Sequence, residues 1–272
     1  MPLKKWSLYG LIALLICIVL IPMFWMLSIA LRTNLEVFSI PLKLIPAHPT
    51  FDAFRQILQN PDMVRLFMNS YFVSILVTLL CILLSALSGY GLSRFQYKSK
   101  KLVVLYILLT QMFPMVLLSI PYFLIISGMG LYNTYTALIL AYTSFALPFS
   151  ILMMRDFVNS IPRELDEAAT IDGCGPYGTF FRIILPPCLP GLIATAVYTF
   201  ILAWNEYLFA VVLTQDITSR PLTLGIGMLI GEYTTQWNQL MALSFMASAP
   251  LVIVFMFVQK YFLQGLTAGS VK

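Results

Sequence analysis

Few side chains in this 272-residue chain could act chemically, and most of them fall in one stretch. From Ser160 to Pro190 the sequence reads SIPRELDEAATIDGCGPYGTFFRIILPPCLP, with four acids (Glu164, Asp166, Glu167, Asp172), two arginines (Arg163, Arg182) and a glycine break. It lies between two long apolar runs yet cannot itself sit in hydrocarbon, where charges are costly. What it can do is present a charged, sharply turned surface to a partner. Pro162 suits the first turn of a helix, Ser160 could cap it, and the acids that follow complement its positive end. Gly173, Gly175 and Pro176 then stop that helix and open a second, from Tyr177 to about Leu185, with Phe180, Phe181, Ile184 and Leu185 as its apolar face. Read from pattern alone, this is either a docking element or a connecting loop with capped helices.

Within the apolar runs the acid singled out is Glu206, beside Trp204, Asn205 and Tyr207. A carboxylate in a membrane helix marks either a working site or a hydrogen-bonded pin between helices, and both readings stand at this point. Nucleotide hydrolysis is excluded, because no glycine is followed by lysine and a phosphate-cradling Gly-x-x-x-x-Gly-Lys-Ser/Thr loop is therefore absent. A membrane-embedded enzyme would need a cluster such as His with Glu or Ser with Lys inside the spans, and none is found. The single His48 lies in a proline-rich connection without partners for a metal, and Cys17, Cys81, Cys174 and Cys188 are too scattered for a disulfide framework or a metal site.

The elements that position these residues are membrane spans. The chain is 60% hydrophobic and only 10% charged, with mean hydropathy +0.90, far from the balance of soluble domains. Six runs are long enough to cross a bilayer: about 8–31, 67–92, 102–126, 134–158, 189–213 and 241–263. The first has no small-residue cleavage site at its end and reads as a retained span. Pro114 and Pro121 are expected to kink the third span and Pro148 to interrupt the fourth. Two longer connections, about 32–66 and 214–240, carry a short amphipathic helix at 51–58 and the glycine-broken run Leu222 to Gly231. Eleven of sixteen cationic residues, including Arg94, Lys98, Lys100 and Lys101 in one short turn, fall on the side of the Ser160 loop, which places that loop and both termini in the cytoplasm. The net charge of +5 thus follows membrane topology and gives no reason to invoke nucleic acid. The expected fold class is an all-α membrane protein of six spans, one domain covering 1–272.

Glu167, Ala168, Ala169, then Gly173, then Ile183, Leu185 and Pro186 resemble, in order and spacing, the EAA motif of permease subunits of ATP-binding-cassette importers. Asp172 before Gly173 also fits, while Cys174 stands where a small residue is common. The resemblance continues in Pro114 to Pro121, Gly130, Leu131, Asn133, Thr134, Leu147, Pro148, Phe149, Trp204 to Glu206 and the closing GLTAGSVK, and it is to the carbohydrate-uptake, binding-protein-dependent branch of the maltose-permease type. It implies the type I importer permease fold and makes the Ser160 loop a coupling helix that docks on a cytoplasmic ATPase, with Glu167 meeting a basic residue there and Gly173 permitting the turn. It also implies a second homologous permease, an ATPase dimer that binds the ATP and magnesium, an extracytoplasmic sugar-binding protein, and no cofactor in this chain itself. The outer loop holding Leu222, Gly225, Gly227 and Gly231 would then contact the binding protein.

Polar groups inside the spans are mostly neutral (Gln111, Tyr122, Tyr142, Thr143, Ser144, Asn205), which suits an uncharged polyhydroxylated solute. Asn205, Glu206, Trp204 and Tyr207 are the expected path residues, although successive positions on a helix point about 100 degrees apart and cannot all face it. On that geometry Asn205 and Glu206 are the pair placed on the path, with Trp204 toward lipid. Trp204 and Tyr207 remain open between an aromatic belt and a surface that stacks on a sugar. The rival function is a self-sufficient secondary transporter driven by protons through Glu206, against which stand the single intramembrane acid and the lack of a visible inverted repeat.

Overall fold

In the computed structural model residues 2–41, 43–231 and 235–268 are described, with side chains for 8–41, 43–231 and 235–259. The chain is helical throughout, and its only β pairing among these residues is an isolated bridge between Ile230 and Thr235. Along the chain lie α1 (Pro2–Ala30), α2 (Asn34–Val37), α3 (Asp52–Gln59), α4 (Pro61–Arg94), α5 (Lys100–Met112), α6 (Met115–Gly128) and α7 (Tyr135–Asn159). They are followed by α8 (Glu164–Ile171), α9 (Pro176–Gly178), a π-helical turn (Thr179–Ile184), α10 (Leu189–Asn205), α11 (Leu208–Leu213), α12 (Leu222–Met228) and α13 (Trp237–Ala268).

α1, α4, α7 and α13 are each long and apolar enough to span a membrane. The count reaches six when two bent pairs are each taken as one span: α5 with α6, and the Pro176–Ile184 segment with α10. The third span is not kinked but broken, by 99°. Phe113 is extended ahead of Pro114, as the proline ring requires of its predecessor, and Pro114 opens α6 from outside its first turn. Pro121 and Pro148, in contrast, stay inside continuous helices. The fifth span ends early: α10 stops at Asn205, Glu206 is extended, and a separate α11 begins at Leu208.

The chain divides into two compact units, Met1–Phe67 with Leu224–Pro250, and Met68–Thr223 with Leu251–Lys272. In the first, α3 buries Ala53 and Ile57, as the amphipathic pattern requires. Phe54 meets Phe245 edge-on, and Gln239 donates to Gln56. Arg32, almost wholly buried, lies over the Trp25 ring and donates to the carbonyl and hydroxyl oxygens of Ser28 and to the Lys43 carbonyl.

The second unit has two apolar layers along α4 and α7. One joins Val73, Val77 and Cys81 to Ala137, Leu138, Ala141 and Tyr142, with Phe209 and Leu213 of α11. The other joins Ala86 and Tyr90 to Met154 and Val158, with Phe180, Ile184 and Cys188. Lipid tails are as apolar as leucine, so helices in a membrane gain most by close backbone approach, which small residues allow. Gly89 and Gly191 are where this matters: a Cβ on Gly89 would lie 2.8 Å from the Arg155 backbone nitrogen, and one on Gly191 only 2.5 Å from the Phe157 ring. This second layer holds the base of the charged loop.

Candidate functional site

The loop begins differently from its expected form. Ser160 closes α7, its hydroxyl donating to the Phe157 carbonyl at 2.7 Å, and so cannot cap the helix that follows. α8 starts only at Glu164, with no side-chain cap on Arg163, and Pro162 stands ahead of it. Glu164, Asp166 and Glu167 occupy its first turn, where free backbone N–H groups favour negative charge. Gly173 ends the helix with φ of +79°, and two bonds seal the end: Gly173 N–H to the Thr170 carbonyl (3.0 Å) and Cys174 N–H to Ala169 (2.9 Å). That pairing is a Schellman closure, which needs a left-handed residue at the position Gly173 holds.

One acid of the first turn points inward. Asp166 pairs with Arg94 at the end of α4, Nε to Oδ2 at 2.9 Å, while the same guanidinium donates to the Ile161 carbonyl at 2.9 Å. Arg94 had counted only as one cation in a cytoplasmic turn; nothing local marks it as the residue that moors the loop. Ala169 is buried, α8 packs on the π-helical turn, and Phe180 of that turn lies 4.9 Å from the Tyr90 ring. Ile184 is the fully buried residue of the turn, with Ile183 and Leu185 half-buried beside it and Phe181 exposed, so the apolar face is narrower than the pattern suggested. Outward face Glu167, Ala168, Asp172, Gly173 and Pro186, together with Ile171 at 87% and Tyr177 at 78% exposure. An acidic and apolar surface on a moored, short helix can dock a protein; the thiol at its turn, Cys174, stands alone, and no metal-binding set is found among the described residues.

Glu206 is engaged locally. Its carboxylate accepts from the backbone N–H of Phe209 (2.9 Å) and of Ala210 (3.1 Å), so it caps α11 from the break in the span. The buried Tyr142 faces it from α7. Because Glu206 is extended, the 100-degree spacing argument does not reach it. Trp204, expected toward lipid, is buried against Tyr71 (4.8 Å) and stacked on Phe200, while Asn205 and Tyr207 are exposed. The four path residues are thus neighbours in sequence that differ in exposure, with Trp204 buried, Glu206 half-buried, and Asn205 and Tyr207 exposed. A second acid, Asp156, also lies within the span α7, near its end, and pairs with Arg155 at 2.7 Å.

The outer loop is partly packed down. Leu222 is buried and its N–H donates to Ser70 Oγ at 2.7 Å. Gly225 is also buried and touches Leu66 so closely that a Cβ would come within 2.2 Å of it, leaving Met228, Ile230 and Gly231 exposed. The loop's base is tied by Asn133, whose Oδ1 accepts from Gln215 N–H and the Ser219 hydroxyl while its Nδ2 donates to Asp216 (2.8 Å). Hydrogen bonds from the Thr218 hydroxyl, the Thr218 amide and Asn133 hold the Asp216 carboxyl below the usual range.

The family described as "Binding-protein-dependent transport system inner membrane component" matches residues 81–268, which takes in the whole moored loop. The chain belongs to this family. Among its relatives, the sulfoquinovosyl glycerol transport system permease SmoH of Agrobacterium fabrum is 35% identical over 93% of this chain and 89% of its own. The trehalose/maltose transport system permease MalG of Thermococcus litoralis is 34% identical over 95% and 94%, and the trehalose transport system permease SugB of Mycobacterium tuberculosis 32% over 93% and 92%. In fold, the permease is similar to a chain of a bacterial ABC transporter that imports the acidic polysaccharide alginate, with TM-score 0.83 and 21% identity over 96% of this chain and 97% of that one. It is thus an ABC importer permease, a multi-pass protein of the plasma membrane and a transporter subunit, not an enzyme. Membership in the family sets aside the proton-driven alternative.

Proposed function

We propose that this permease is one of two membrane halves of an importer that passes a sugar or oligosaccharide inward, and that the Ser160–Pro190 loop receives the power stroke from a separate ATPase dimer. The observation that carries the coupling role is the division of labour in the first turn of α8: Asp166 is held by Arg94, while Glu167 is exposed and uncommitted beside the outward Ile171 and Tyr177. A force on that face passes through the mooring into α4. The sugar class is supported by relatives whose names specify trehalose, maltose and a sulfoquinovosyl glycerol.

The partners in this reading are a second homologous permease, the ATPase chains with their ATP and magnesium, and an extracytoplasmic binding protein that meets the exposed Met228–Gly231 end of the outer loop. The loop and both termini face the cytoplasm. Asn205, Glu206, Trp204 and Tyr207 remain path candidates, with Glu206 acting through the capped break it creates. The closing Gly265–Lys272, over which the resemblance extends, lies beyond the described side chains, and residues 269–272 lie outside the described residues altogether.

The test is Glu167→Lys in the complete transporter. Uptake is expected to fall to background while the permease stays in the membrane at its normal level. Uptake at the wild-type rate would remove the coupling role.

A further inference from the structure

A groove of about 440 Å³ opens between α4, α5 and α7, within the ~300–1,000 Å³ range of ligand pockets. Its walls are mostly apolar, with Gly91, Phe95, Val103, Ile107 and Ile151, and Ser88 and Tyr97 bring the hydroxyls among the lining residues. From the last residue of α4 to the second of α5, Arg94 to Lys101, the chain carries four cations, and two of them are already used. Arg94 holds Asp166, and Lys100 folds back on the Ser93 and Phe95 carbonyls at 3.3 and 3.2 Å. Lys98 and Lys101 are exposed, and neither forms an ion pair among the described residues.

An open apolar groove whose lining residues Tyr97 and Val103 are followed and preceded within two residues by the exposed Lys98 and Lys101 matches one kind of molecule, with an acyl chain for the groove and a phosphate for the ammonium groups. We propose that this groove binds an anionic phospholipid, its chain along Gly91 and Ile107 and its headgroup phosphate between Lys98 and Lys101. Phosphatidylcholine offers the same chain but no net charge, and a free anion offers the charge without the chain, so each fits only half of the site. The site adjoins the Arg94 mooring, so lipid occupancy bears on the same end of α4 that anchors the charged loop. The inference rests on that end lying at a headgroup layer and not on the coupling reading.

The experiment uses the full-length permease with its co-purified subunits, in detergent, with phosphatidylglycerol, phosphatidylcholine or inorganic phosphate added, and reads lipid retained by native mass spectrometry and the thermal midpoint. Phosphatidylglycerol is expected to be retained and to raise the midpoint more than phosphatidylcholine, with inorganic phosphate inert. Lys98→Gln with Lys101→Gln should weaken that preference by roughly 10- to 30-fold in affinity, two lysines at about a factor of five each. Gly91→Leu fills the groove from a position where a Cβ meets no neighbour within 4 Å, and should lower retention of both lipids with the fold intact. Equal retention of the two lipids by the wild type, a preference that survives loss of both lysines, or an equal effect of inorganic phosphate would overturn the proposal. Uptake assays on Glu167→Lys report on coupling separately, so either idea can fail alone.

Discussion

At the level of single residues, the decisive fact about the charged loop is which carboxylate is bound and which is free. Arg94 is 8% exposed and Asp166 21%, so their pair is shielded enough to matter yet not so dry that desolvation cancels it. Arg94→Gln is expected to cost about 1–3 kcal/mol and to lower coupled uptake, because it strands a carboxylate and frees α8 from α4. The thermal midpoint and transport rate of the single variants and of Arg94→Gln/Asp166→Asn check this; if the double variant is no better than the sum of the singles, the pair is not interacting. Glu206 calls for a different test. Glu206→Ala removes both acceptors for the first turn of α11 and should cost about 1–2 kcal/mol, with Glu206→Gln in between because one amide oxygen remains. A midpoint unmoved by Glu206→Ala would show that the cap contributes nothing. At the outer loop, the folded-state pKa of Asp216 lies below its unfolded value. Its contribution is therefore present above the ordinary aspartate range and is lost as pH falls through the lowered value. Asp216→Asn should flatten the acid limb of stability below about pH 4, and an unchanged acid limb would speak against it.

Among the elements, packing depends on two glycines that the sequence does not distinguish from others. Gly89 abuts the backbone of α7 at Met154 and Arg155, which cannot yield as a flexible side chain can. Gly89→Ala is accordingly expected to cost about 1–3 kcal/mol through overpacking, read as a drop in thermal midpoint, whereas Gly91→Ala, two residues on with open space, should be neutral or slightly stabilising. The end of α8 works by conformation instead of space: nothing lies within 4 Å of a Cβ on Gly173, but its φ of +79° is unfavourable for L side chains. Gly173→Asn should therefore be tolerated better than Gly173→Val in uptake, since asparagine visits that region more readily. Equal damage by both would point to a contact with the partner.

For the molecule as a whole, the orientation in the membrane decides whether the moored loop can meet an ATPase at all. Cys174 is the natural reporter, half-exposed at the turn after Gly173, whereas Cys81 and Cys188 are buried and Cys17 lies within α1. A membrane-impermeant maleimide is expected to label Cys174 in inside-out vesicles and not in intact cells, with Cys174→Ser as the control. Labelling from outside would invert the topology and with it the assignment of both termini.

Sequence alone sufficed for the six apolar runs, the placement of the charged loop between the fourth and fifth, and the stop of its first helix at Gly173, because hydropathy and glycine chemistry act locally; the left-handed form of that stop is the structure's. It also sufficed for the amphipathic α3, whose buried Ala53 and Ile57 lie one helical turn apart. The break at Glu206 was not legible, since neither glycine nor proline flags Asn205 to Tyr207 and the extended residue is stabilised by the cap its own side chain makes. Equally hidden was the partner of Asp166: the three acids of α8 look equivalent in sequence, and only the approach of Arg94 from α4 separates the one that anchors from the two left exposed. Such distinctions belong to tertiary structure because they are set by pairings between residues far apart in the chain, which a one-dimensional pattern of charge and hydrophobicity does not contain.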